Sequence, residues 1–370
     1  MSDYSPVGAR AHVGSTGRGA IEAAVSAEAA LFAADDDAAT RPISIIAERK
    51  LGESGLAVFP FGLGTARLAA IDEVAAGRIL HRFAVRGGGL YDVGDEDGSG
   101  RSQQVVGDWF AANRPGRVFT ALTPSPERDG GAATGSTRIV RAVEAALRRL
   151  RLDHIDLLTL DFRDGQLTLD EQLGAVAELI SAGKVRHLGA NAASGDQLMA
   201  ARVLSGDGLP RIVAARLAWD ITGNSALLED VRMVAAAQEL ALLPDATSAS
   251  IALASPSLPQ KVLAGWGHTA RLGQIVNARV VRPERERATD AFAGRGREHR
   301  IGVALDRVSD ELGLQPATTQ LAWLLAKRGV VAPIVRITRP EQLDVLMDAA
   351  AVSLSRAQLR ELDRAAVAAR

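Results

Sequence analysis

One stretch, from Thr168 to Asn191, limits what this chain can fold into more than any other. Leu169, Leu173, Val176 and Ile180 recur at the spacing of one buried helical face, and Thr168 is placed to cap that helix. Gly183 then turns the chain into a short run, Val185-Arg186-His187-Leu188-Gly189-Ala190-Asn191, that reads as a strand. Before the helix, Leu152-Asp153-His154-Ile155-Asp156-Leu157-Leu158-Thr159-Leu160 closes another helix and opens another strand. Strand, helix and strand joined by short turns make a βαβ unit, which predicts parallel sheet.

The same rhythm extends along the chain. Strands are expected near 60–64, 89–93, 117–122, 155–160, 185–190, 211–217, 240–244 and 331–336. Helices are expected to begin near 71, 101, 135, 168, 194, 225 and 316, with one more after Pro340. Eight alternating units predict a (β/α)8 barrel, with function at the C-terminal ends of the strands. Ahead of them, Arg49-Lys50-Leu51-Gly52-Glu53-Ser54-Gly55-Leu56-Ala57-Val58 reads as a hairpin. A last helix near 355–368 is expected on the outside.

These words resemble those of the aldo-keto reductases. The likeness rests on the 49–65 start ending Phe61-Gly62-Leu63-Gly64-Thr65, on Gly98-Ser99-Gly100-Arg101-Ser102, and on the 145–191 core. It also rests on Ala332-Pro333-Ile334-Val335 with Thr338-Arg339-Pro340-Glu341-Gln342-Leu343. The resemblance implies an α/β TIM barrel over residues 43–370, plugged at the bottom by the hairpin, behind an N-terminal extension of residues 1–42. That extension is rich in Ala, Gly and Ser and reads as disordered, with a short docking helix near 18–34 as the sharper alternative.

The resemblance also implies chemistry, carried here residue by residue. The family's carbonyl reduction needs a tyrosine acid, a lysine that tunes it, an aspartate paired with the lysine, and a histidine that orients the substrate. Asp92 stands at the aspartate position. Asp97 stands at the tyrosine position, Leu122 at the lysine position and Asp161 at the histidine position. Tyr91 neighbours Asp92 on a strand and should point to the opposite face. The expected mouth therefore crowds Asp92, Asp97 and Asp161, and like charges at close range raise at least one pKa. A cation, a shared proton or wide solvation would relieve the crowding.

For an NADP cofactor, the implied contacts fall on Asn191, Trp219, Arg336, Arg339 and Gln342, with Leu217 the alternative to Trp219 as the stacking residue. Of the family's residues after the eighth strand only Gln342 is kept, although the two arginines suit a phosphate. Three functions follow. The first is a reductase-like barrel that binds a partner protein or small ligand without hydride transfer. The second is an NADPH-dependent oxidoreductase using Asp97 or Asp161 as an atypical acid. The third is a carboxylate-cluster enzyme holding a cation such as Mg²⁺.

Composition narrows the remainder. With 43 basic and 44 acidic residues, nothing argues for nucleic acid or an anionic membrane. With no cysteine there is no disulfide or thiolate chemistry, and no metal ligands are assigned. No apolar run reaches the length of a membrane span, so a soluble cytoplasmic protein is expected. Between the seventh strand and a helix near 300, Arg279, Arg282, Arg285, Arg287, Arg295, Arg297 and Arg300 are expected in a long loop. That loop, or the N-terminal segment, is where a protein partner would dock, and a homo-oligomer stays open.

Overall fold

A computed structural model describes residues 47–94, 99–124, 135–162, 167–222, 226–246 and 284–367. The chain divides into Met1–Ile45 and Ile46–Arg370. The expected docking helix near 18–34 lies outside the described residues, as do Asp97 and residues 279–283.

The hairpin pairs β1 (Arg49–Lys50) with β2 (Ala57–Val58) antiparallel. Its turn holds Gly52 at φ +52°, where a Cβ would lie 2.3 Å from the Val213 carbonyl oxygen. Only glycine lets the hairpin press this closely against the barrel floor. Eight parallel strands then close a barrel: β3 (Gly62–Gly64), β4 (Leu90–Asp92), β5 (Phe119–Leu122), β6 (Ile155–Asp161), β7 (Val185–Asn191), β8 (Ile212–Ala218), β9 (Ala241–Ala246) and β10 (Ile334–Arg336). β10 pairs with both β9 and β3, which completes the ring.

Ten α-helices stand among the described residues, eight of them next after a strand and two after another helix. They are α1 (Glu73–Val85), α2 (Arg101–Asn113), α3 (Ser136–Leu150), α4 (Leu169–Ser181), α5 (Gly195–Gly206), α6 (Ala226–Ala237), α7 (Glu284–Leu312), α8 (Pro316–Leu325), α9 (Pro340–Met347) and α10 (Arg356–Ala366). Thr168 caps α4 as expected, its backbone N–H donating to the Glu171 carboxylate at 2.9 Å. Leu173 and Val176 are fully buried on the face the spacing marked.

One expectation is corrected. The Arg-rich stretch is not a loop from Glu284 onward, because α7 runs unbroken to Leu312. Glu, Arg and Ala dominate its first turns, and these are strong helix formers. None of the described helices is long and apolar enough to cross a membrane.

Alternation along the strands separates two clusters. Leu90, Ala121, Leu157, Ala214, Leu243 and Ile334 point into the barrel and pack on the hairpin's Leu51 and Val58. Tyr91, Leu122, Leu158, Leu188, Ala215, Leu242 and Val335 point outward, into the larger core shared with the helices. Continued in steps of two, the inward set runs toward the strand ends as Asp92, Thr123, Thr159, Asp161, Arg216, Asp245 and Arg336.

Candidate ligand site at the barrel mouth

The mouth is organised by an arginine inside an apolar strand. β8 reads Ile212-Val213-Ala214-Ala215-Arg216-Leu217-Ala218, and Arg216 is 6% exposed. A buried guanidinium must be paired. Arg216 donates from Nη1 and Nη2 to both Asp92 carboxylate oxygens at 2.7 and 2.8 Å. It donates from Nε and Nη2 to both Asp245 oxygens at 3.0 and 2.8 Å. Nη1 also reaches the Thr123 hydroxyl oxygen at 3.2 Å. A guanidinium carries five N–H bonds, and all five are used.

The neighbours hold this cluster in place. The Asp92 carbonyl accepts from both Thr65 N–H (2.9 Å) and Thr65 Oγ1 (3.0 Å), which fixes the end of β4. Thr123 Oγ1 and Thr159 Oγ1 are 2.5 Å apart, and Thr159 donates to the Leu122 carbonyl at 3.1 Å. Arg336 Nη2 approaches Asp245 Oδ1 at 3.7 Å from the far side. Gly64 makes room for it, since a Cβ there would lie 2.6 Å from Arg336 Cγ. The chain of charges therefore runs Asp92, Arg216, Asp245, Arg336 across the mouth.

Electrostatics follow from this geometry. Burial alone would lower the Arg216 pKa, but the two carboxylates outweigh it and push the guanidinium above its ordinary value. Burial alone would raise the Asp245 pKa, but Arg216 and Arg336 outweigh it and hold the carboxyl below the usual range. Arg216 thus stays charged at all working pH and cannot deliver a proton.

The expected site residues divide sharply. Asp92 and Asp161 do end inward-facing strand positions. Leu122 does not: it is 1% exposed and belongs to the outer core. The inward position at the end of β5 is the next residue, Thr123, so the assignment of Leu122 to the lysine place is one residue off. A strand alternates faces, so a shift of one moves a residue to the other side of the wall. Tyr91 faces outward as expected, its ring edge-to-face with Phe83 (5.2 Å) and Phe110 (5.1 Å). Burial pushes its phenol well above the usual value.

Trp219 is also corrected. It is 4% exposed in the outer core, and the Arg232 guanidinium lies 5.0 Å over its ring. The alternative, Leu217, is in the same outer core. Neither presents a stacking surface to the mouth. The expected crowding of carboxylates is relieved at Asp92 by Arg216 rather than by a cation, a proton or solvent. Among the described residues no group of three His, Cys, Asp or Glu is placed to hold a metal ion.

The sequence reading passed over Arg216, Thr123 and the pairing role of Asp245. The signal for Arg216 was present: a lone charge midway along an otherwise apolar strand has to meet an opposite charge inside the barrel.

The other side of the mouth is built differently. Gln342 caps α9, its Oε1 accepting from Thr338 N–H (3.0 Å) and Arg339 N–H (3.1 Å). Its Nε2 is buried without a hydrogen-bond partner, and so is Thr338 Oγ1. Two orphaned polar atoms near Arg336 and Arg339 suit a polyanionic group arriving at the start of α9. Asn191 ends β7 beside Arg216 in register and is half-buried. These residues fit the phosphate end of a dinucleotide. The inner mouth does not fit its reacting end, since no lysine, histidine or tyrosine is among the described residues that face it.

A model of the Aldo/keto reductase family matches residues 60–367. The chain is 26% identical to norsolorinic acid reductase stcV of Emericella nidulans, over 84% of this chain and 79% of that protein. It is 26% identical to the uncharacterized oxidoreductase YrpG of Bacillus subtilis, over 85% and 94%. It is 24% identical to an NADP(+) aryl-alcohol dehydrogenase of Phanerodontia chrysosporium, over 82% and 78%.

Proposed function

The chain belongs to the aldo/keto reductase family, and we propose that its barrel mouth binds a small ligand without carrying out the family's carbonyl reduction. One observation carries this reading. Asp92, at the position where the family resemblance implies a lysine-paired carboxylate, is bound on both oxygens by Arg216, and the inward position at the end of β5 holds Thr123, which Arg216 also reaches. General acid catalysis needs a proton that is both available and aimed at the developing alkoxide, and it contributes about 10²- to 10⁴-fold. A saturated guanidinium and two threonine hydroxyls bonded to each other supply none.

The ligand end best prepared is the anionic one. Arg336 and Arg339 would meet phosphate oxygens, and Thr338 Oγ1 and Gln342 Nε2 would gain partners they lack. NADP(H) is therefore the first ligand to try, and when bound in this family it supplies hydride. In this chain Asn191 would touch the inner part of such a ligand. Arg216, with no donor left, would only wall it.

A second reading is favoured by the relatives, whose names are those of reductases and dehydrogenases: an NADPH-dependent oxidoreductase with an atypical acid at Asp97 or Asp161. Titration with NADPH, followed by tryptophan fluorescence, and a steady-state assay over a broad carbonyl panel at pH 5–9 separate the two. Binding without turnover is the expected result. Turnover of about 1 per second or more, abolished by Asp97→Asn or Asp161→Asn, would replace the first reading with the second.

A further inference from the structure

At the opposite end of the barrel a cavity of about 340 Å³ opens beside the hairpin. Its walls include Leu240, Leu242 and Val331, and its rim carries Lys50, Glu239 and Arg328. That volume suits a small molecule. Lys50 comes from the hairpin, Glu239 from the turn into β9, and Arg328 from the turn before β10.

Two features set this rim apart. Among the described residues, Lys50, Glu239 and Arg328 make no ion pair or side-chain hydrogen bond, with one another or with any other side chain, although they line one cavity. Arg232 also lines it, but its guanidinium is committed to Glu229 at 2.8 Å and to the Trp219 ring. The second feature is the fixed backbone at Glu239. Glu239 has φ +58°. It follows α6 where the Leu240 N–H closes back on the Ala235 carbonyl at 2.9 Å, the helix ending that favours glycine at this position. Arg114 and Arg151 close two other helices in the same left-handed conformation, so the turn fixes where Glu239 stands on the rim.

We infer that this cavity is a binding site for a small zwitterion of the α-amino-acid type with an aliphatic side chain, distinct from the mouth and independent of what the mouth does. Lys50 and Arg328 receive the carboxylate, Glu239 receives the ammonium, and Leu240, Leu242 and Val331 cover the aliphatic part. A simple anion would use the two cations and leave Glu239 repelling it. A simple cation would face the reverse arrangement.

The test is calorimetric titration of the full chain with L-leucine, N-acetyl-L-leucine and L-leucinamide. Saturable binding of leucine is expected, weakened at least about tenfold by blocking either charged end, since one such contact contributes on that order. Glu239→Gln, and Lys50→Gln with Arg328→Gln, should each weaken it to a similar extent. Glu239→Gly should lose binding while raising the melting temperature, because glycine suits the left-handed turn. That opposite movement excludes unfolding as the cause of lost binding. No saturable binding of leucine, equal binding of N-acetyl-leucine, or wild-type affinity in the Glu239→Gln protein would each overturn the inference.

Discussion

The barrel's two ends are filled by opposite means. The floor is apolar: Leu90, Leu157, Leu243 and Ile334 meet Leu51 and Val58 of the hairpin, with nothing to orient. The mouth is ionic: Asp92, Arg216 and Asp245 lock through four charged hydrogen bonds between strands far apart in sequence. Burial by area is non-directional and tolerates exchange of shape for similar shape. A buried ion cluster works only as a complete set, because each member's desolvation is offset by the others. One end of the fold is therefore a matter of volume, and the other a matter of matched partners.

The largest effect should come from breaking the matched end. Arg216→Met leaves two carboxylates facing each other inside the barrel and should cost about 3–5 kcal/mol in denaturant unfolding. Adding Asp92→Asn and Asp245→Asn to it should recover much of that loss. A loss under about 1 kcal/mol for the single change would mean that water reaches the cluster and that the contrast between the two ends is weaker than drawn.

Next comes the floor. Leu157→Ala should cost about 2–5 kcal/mol, while Leu157→Met should cost less than about 1.5 kcal/mol. If methionine proved as damaging as alanine, the floor would be as particular as the mouth.

Acid then titrates one end and not the other. The Asp245 carboxyl is held below its ordinary value in the folded chain, so unfolding takes up protons as the pH falls. The stabilisation is whole above the ordinary carboxylate pKa and disappears as the pH drops through the depressed folded value. Asp245→Asn should therefore be less stable at neutral pH and show a flatter stability profile below about pH 4 than the parent. Coincident profiles in that range would count against the pairing.

The smallest effect should be at Tyr91. Its hydroxyl is buried without a partner, so Tyr91→Phe removes an unsatisfied group and should be neutral or stabilising by up to about 1 kcal/mol. Ligand binding at the mouth should not change, since the ring sits on the helix side of the wall. A strong effect on binding would place that hydroxyl in the mouth after all.

The sequence carried the architecture well because the barrel's strands and helices are set by local patterns. β6, for example, was expected at 155–160 and spans Ile155–Asp161, and α4 begins where Thr168 marks it. The site was harder to read for a specific reason. Whether Leu122 or Thr123 faces inward depends on a single step of strand phase, and a four-residue strand such as β5 gives that phase little support. Arg216 pairs with Asp92 across 124 positions of sequence, and no local pattern announces such a partner. The Arg-rich stretch misled through the length of the connection and its run of arginines, since the Glu, Arg and Ala from residue 284 onward favour a helix.

The saturated guanidinium has a consequence for how this barrel can change over generations. Thr123 already touches Arg216, so a lysine introduced there would bring a second cation into contact with the first. Removing the arginine first would strand two carboxylates with no cation between them. Each order of replacement passes through a protein worse than either end point, and only a concerted exchange at both positions avoids the low ground. The arginine thereby works as a ratchet: while it is in place, no single step leads to a lysine-bearing mouth, whatever selection asks of the ligand.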